Sequence, residues 1–186
     1  MIIIKWRPIA EIEEIPPMGI GLMEHLKDRK GAVKHASCSA WNLLYQVMSD
    51  IGISNPIVSF SETGKPYLSN YDLYFSISHS CDLCAVAIAD CAIGVDIEVA
   101  KDNYSSHLIE RSLNDEELAA FDGDFTRIWS RKEAVSKMTG SGLVGFPNTI
   151  NTLEYKYAEQ KVYYGKNSYW LTATVDKGFR LENKQF

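Results

Sequence analysis

Two hydrophobic periods alternate along this chain. Ile2, Ile3, Ile4, Lys5 and Trp6 read as a first strand, too short and wrongly flanked for a signal peptide. Pro16 and Pro17 then break the chain. Across 32–50 and just beyond, Ala40, Trp41, Leu44, Val47, Met48 and Ile51 recur at spacings of three and four. That spacing predicts a helix, with Gly52 as its stop. A short strand at 56–60 leads into a turn at Thr63-Gly64-Lys65-Pro66. Runs rich in Ile, Val, Phe and Tyr predict strands at 73–79, 83–89 and 92–99. A short helix follows at 104–111, and Asn114 with Glu117 makes a capping-box pattern. Phe125, Ile128, Val135 and Met138 form the stripe of a second helix over 125–139, with Gly140 as its C-cap. From 148 to 182, Tyr, Val, Thr and Trp abound and predict strands. The sum is an α+β protein with helices and antiparallel strands in each half.

Length and charge narrow the classes. A chain of 186 residues makes one domain or two small fused halves and needs no metal or disulfide to fold. Its 19 basic and 24 acidic residues give a formal net charge of −5, which argues against nucleic acid as a partner. A few local lysines could still hold an anionic substrate. No apolar run approaches the roughly 18 residues of a membrane span. Of the four cysteines, Cys81, Cys84 and Cys91 crowd together and Cys38 stands apart, a pattern of reduced thiols in a cytoplasmic protein. The lone Cys81-Asp82-Leu83-Cys84 lacks the second ligand pair of a structural zinc site and reads as small residues in a buried strand.

Four features could carry chemistry. Asp96 and Glu98, at i and i+2 in a strand, share one face while Val95, Ile97 and Val99 point into the core. Such a pair suits a hard divalent cation, or simply the solvent side of an amphipathic strand. Trp129, Glu133 and Lys137 line one helix face, as a surface ion pair or as a third carboxylate beside a phosphate-binding lysine. Lys132 adds a second cation just off that face. His79 lies between Ser78 and Ser80 at a strand end and can donate to a phosphate. Lys65 follows a glycine in a turn, where a lysine is either solvated or anion-binding.

The order of these features is more specific than any one of them. Gly64-Lys65-Pro66, then Phe75-Ser76-Ile77-Ser78-His79-Ser80, then Gly94-Val95-Asp96-Ile97-Glu98, then Trp129-Ser130-Arg131-Lys132-Glu133-Ala134 with Lys137 resembles the 4'-phosphopantetheinyl transferase superfamily. The type resembled is the long, pseudo-dimeric one that activates carrier proteins of synthetases. Arg111-Ser112-Leu113-Asn114-Asp115-Glu116-Glu117 and Gly140-Ser141-Gly142-Leu143 continue the pattern. The resemblance implies two similar α+β halves, 1–92 and 93–186, with the active site at their interface. It implies transfer of the phosphopantetheine arm of coenzyme A to a serine of an apo acyl or peptidyl carrier protein, releasing 3',5'-ADP. It assigns Asp96, Glu98 and Glu133 to Mg2+, and Lys137 to the pyrophosphate. Lys65, Ser78, His79 and Lys132 are assigned to the nucleotide end and its phosphates, and Trp129 to packing beneath the helix. Glu117 matches a family glutamate proposed to deprotonate the attacking serine, and Glu133 is the other candidate. Where the family carries an arginine that holds the nucleotide, this chain has Trp41; Lys27, Arg29, Lys30, Lys34 and His35 lie just upstream. The expected molecule is a monomer without nucleic-acid or membrane partners. Two other readings are a degenerate module that only binds coenzyme A or a carrier, and a metal-dependent phosphohydrolase.

Overall fold

The structure is a computed structural model that describes residues 1–11, 14–143, 147–176, 178 and 184–185. The chain opens with strand β1 (Ile2–Pro8), helices α1 (Ile20–Leu26) and α2 (Gly31–Asp50), and the short strands β2 (Val58–Phe60) and β3 (Pro66–Leu68). Strands β4 (Tyr74–Ser80), β5 (Leu83–Ala89) and β6 (Ile93–Val99) follow. Next come helices α3 (Ser106–Ser112), α4 (Asp115–Ala119) and α5 (Phe125–Thr139), and two 3-10 turns at Pro147–Thr149 and Thr152–Glu154. The chain ends in β7 (Tyr157–Tyr164), β8 (Asn167–Val175) and the two-residue β9 (Lys184–Gln185).

Two sheets carry the architecture. The first has the order β4-β5-β1-β9, antiparallel except where β9 runs parallel to β1; the second, β6-β8-β7, is antiparallel. β2 and β3 form a separate hairpin around the predicted turn. Alternation along β5 explains how the sheets stack. Cys84, Val86 and Ile88 join Trp41, Leu44 and Met48 of α2 in one core. Leu83, Ala85, Ala87 and Ala89 join Val95, Ile97, Leu171 and Ala173 of the second sheet in the other. With both faces buried, β5 reads as a continuous apolar run. Each large aliphatic side chain fully buried here contributes about 1.5–3 kcal/mol. The layers therefore run α2, first sheet, second sheet, α5. No helix among the described residues is long and apolar enough to cross a membrane.

The α+β pattern holds, with local corrections. The periodicity does not announce α1, because only Leu22 and Leu26 of its seven residues are buried and Gly21 interrupts it. That glycine is needed: a Cβ there would lie 2.9 Å from the carbonyl oxygen of Val58. The strands predicted from 148 begin at Tyr157, because the preceding stretch forms the two 3-10 turns. The end of that predicted region, 177 and 179–182, lies outside the described residues. Cys84 and Cys91 are buried as expected, whereas Cys81 is exposed in the turn between β4 and β5, at φ 48°.

Candidate active site

β4 and β6 are edge strands of different sheets, and they lie side by side without a backbone ladder. Serine hydroxyls do the joining. Ser76, Ser78 and Ser80 share one face of β4 by the two-residue period. The backbone N–H of Val95 donates to Ser76 Oγ (3.0 Å) and that of Val99 to Ser80 Oγ (3.2 Å). Between them, Ser78 Oγ donates to Asp96 Oδ1 at 2.8 Å. The seam also covers two strand edges that would otherwise invite mispairing.

Helix α5 closes over this seam. Lys137 Nζ donates to Asp96 Oδ1 (2.7 Å) and to Ser78 Oγ (2.8 Å). Asp96 is only 2% exposed, and its Oδ2 is buried without a hydrogen-bond partner. The alternative of a solvent-facing strand edge is thereby corrected: the Gly94-Asp96-Glu98 face of β6 is turned toward α5. Gly94 makes that approach possible, since a Cβ on it would fall 1.8 Å from the carbonyl oxygen of Ala134. On its other flank α5 is tied to β7, where Glu159 accepts from Arg127 (2.8 Å) and Arg131 (2.7 Å).

The electrostatics record crowded negative charge. Burial, and then the neighbouring Asp96, push the Glu98 carboxyl up to about 6. Burial also raises Glu133, with Asp96 adding and Lys137 opposing. Desolvation, then Lys137 and Arg29, hold His79 below the ordinary imidazole range and favour its neutral form. A raised carboxyl in the folded protein means that stability falls as pH rises from the unfolded value of 4.5 to about 6. Glu98→Gln removes that ionisation. At pH 7 the variant is expected to melt above the wild type, and the gain should vanish below pH 4.5 in the same thermal scans.

Two clefts, each of about 280 Å³, meet at Lys137. One runs between the Thr63–Pro66 turn and α5, bordered by Lys65, Phe75, Glu133 and Ser136. The other is bordered by His25, Arg29, Trp41, Phe60 and His79. Trp41 is buried there, edge-on to Phe75 at 5.6 Å. Of the basic residues upstream of α2, Arg29 borders this cleft, held by Ser37 Oγ (2.6 Å) and by His25 (2.7 Å), which stacks on Phe60. Trp129, itself on α5, packs with Phe125 of the same helix against Leu113, as expected of a packing residue. Lys65 directs its ammonium to a backbone carbonyl of α5.

Glu117 and Lys132 are brought together, but apart from this group. Lys132 is fully buried and Glu117 1% exposed. Lys132 Nζ donates to Glu117 Oε2 (2.6 Å) and to the Ile150 carbonyl (2.5 Å). Glu117 Oε1 accepts from the N–H (2.8 Å) and hydroxyl (2.6 Å) of Thr152, and Oε2 also accepts from Asn114 N, completing the predicted capping box. Burial alone would raise this carboxyl, but the donors outweigh it and hold it below the ordinary range. Removing one partner strands the other: Glu117→Ala should destabilise by about 3 kcal/mol in urea unfolding. Neither Thr152 nor Ile150 was legible beforehand, because nothing in the sequence around them marks a partner for a distant carboxylate.

Among the described residues, no group of three or more His, Cys, Asp or Glu side chains is arranged to hold a metal. The donor chemistry nevertheless fits a hard cation. Asp96 offers an unpartnered buried oxygen, and Glu98 and Glu133 both feel its charge.

This geometry can be set beside known proteins. Residues 92–175 match the 4'-phosphopantetheinyl transferase superfamily. The superfamily segment contains Asp96, Glu98, Glu117, Lys132, Glu133 and Lys137, and leaves Lys65, Ser78 and His79 outside it. The chain is 32% identical over 135 residues to a protein of Haemophilus influenzae named "Putative 4'-phosphopantetheinyl transferase", covering 65% of this chain and 56% of that one. It is 37% identical over 113 residues to the 4'-phosphopantetheinyl transferase AcpT of Salmonella typhimurium and to that of Salmonella typhi, covering 53% of this chain and 57% of each. The chain thus spans a little over half the length of these superfamily relatives.

Proposed function

We propose that this protein transfers the 4'-phosphopantetheine arm of coenzyme A to a serine hydroxyl of an apo acyl or peptidyl carrier protein. The observation that carries the proposal is the Ser78–Asp96–Lys137 cluster at the junction of two clefts, where one oxygen of the Asp96 carboxylate holds Ser78 and Lys137 and the other is buried without a partner. In the reaction the serine oxygen forms a bond to phosphorus of the coenzyme A pyrophosphate. The bond to the bridging oxygen breaks, and 3',5'-ADP leaves. Such chemistry depends on positioning and on neutralising charge.

The residues divide the work accordingly. Asp96, Glu98 and Glu133 would hold Mg2+, which supplies charge neutralisation at the pyrophosphate when bound. Lys137 would neutralise phosphate oxygens, aided by Ser78 and His79. Arg29 supports the nucleotide end in the cleft that contains Trp41. Glu133 is the better candidate to accept the serine proton, because burial raises its carboxyl. Glu117 already accepts four hydrogen bonds, and Lys132 is committed to it, so both serve to anchor the elements around α5. The two-half reading, 1–92 and 93–186, is supported by two sheets that each carry one long helix, with β9 of the second half crossing to the edge of the first sheet.

The test is intact-mass measurement of an apo acyl and an apo peptidyl carrier protein, each incubated with this protein, coenzyme A and magnesium. A mass gain equal to the phosphopantetheine arm on either carrier is expected. Coenzyme A binding in calorimetry without any gain would favour a binding module instead.

A further inference from the structure

Lys65 has a partner that a substrate ligand would not need. Its Nζ donates at 2.6 Å to the carbonyl oxygen of Met138, in the last turn of α5 and 73 residues away in sequence. The last four carbonyls of a helix have no partner within it. At this end Ser136 O is met by the N–H of Gly140, and Met138 O is met by Lys65. A cation at a helix C-terminus also complements the helix dipole. The aliphatic stem lies against the cap as well. Gly140 has φ 75°, and a Cβ on it would come within 2.9 Å of Lys65 Cδ.

The turn that delivers the lysine is itself tightly held. Lys65 N donates to Ser61 Oγ (3.0 Å), Ser61 N to Lys65 O (2.9 Å) and Gly64 N to Ser61 O (2.9 Å). A fixed turn therefore grips the end of the helix that carries Glu133 and Lys137, across the cleft these residues border. We propose that Lys65 is a positioning residue, a clamp between the 61–65 turn and the C-terminus of α5 that sets where Lys137 and Glu133 stand. On this view its ammonium touches no substrate. The effect on rate rests on the transferase reading; the clamp itself does not.

Three proteins separate the possibilities: wild type, Lys65→Met, which keeps the stem and loses the donor, and Lys65→Arg, which restores one. In hydrogen exchange of the free protein, amides in the last turn of α5 should exchange about tenfold faster in Lys65→Met, while α2 is unchanged; Lys65→Arg should recover protection. In transfer assays, Lys65→Met should lower kcat by about tenfold with the KM for coenzyme A nearly unchanged, and Lys65→Arg should regain most of the rate. Unchanged exchange in α5 overturns the clamp. So does a raised KM with kcat preserved, which is the signature of a direct ligand contact. If wild type transfers nothing, the transferase reading fails, and the exchange data still decide the clamp.

Discussion

Asp96→Asn should reduce phosphopantetheine transfer by about 10³-fold while the protein stays folded, on the scale seen when one preorganised charge-stabilising group is removed from an active site. The shape of the side chain is retained, and only the charge goes. Three things follow from that loss. Lys137 loses the carboxylate it meets at 2.7 Å, the unpartnered oxygen ceases to be an anion, and the repulsion that raises Glu98 and Glu133 falls. Stability should drop by only about 2 kcal/mol, because Lys137 is 28% exposed and can turn toward water once released. Transfer assays at saturating coenzyme A and carrier, run beside thermal melts, check both parts. Added magnesium should raise the melting temperature of wild type and leave that of the variant unchanged. A variant that transfers at the wild-type rate would remove Asp96 from the mechanism.

Gly94→Ala should be strongly destabilising, costing more than about 4 kcal/mol or preventing folding. The added carbon would lie 1.8 Å from the carbonyl oxygen of Ala134 and 2.7 Å from the N–H nitrogen of Met138. Both are backbone atoms of a buried helix, so no rotamer relieves the clash. The helix must move off β6, and its ties to Glu159 and to Lys65 resist that movement. Denaturant unfolding measures the loss directly. A variant within about 1 kcal/mol of wild type would mean that α5 can re-seat without penalty.

The elements were legible wherever one face or one stripe decides burial. The stripe of Trp41, Leu44, Val47 and Met48 packs against the first sheet, and Gly140 ends α5 in the left-handed region as its position implied. The weak points are those where neighbours in space decide. Alternation put Asp96 on a face but could not say that a helix covers it, since strand period carries no information about the layer beyond. For Lys132, the motif gave its place on the helix, whereas its partners Glu117 and Ile150 come from two other segments of the chain. Helical spacing aligned Glu133 with Lys137. It did not foretell that Lys137 would reach the β4 serine, because that contact spans 59 residues.

The serine seam has a mechanical consequence. A ladder of backbone amides resists sliding as a unit, because every rung shares one rigid repeat. Hydroxyls are different: each rotates about a single bond and follows its partner through small displacements without breaking. The two sheets are therefore joined compliantly at Ser76, Ser78 and Ser80, and stiffly within themselves. Small shifts of one strand edge against the other are taken up by these hydroxyls, along the line where Asp96 and Lys137 meet at the candidate reaction centre.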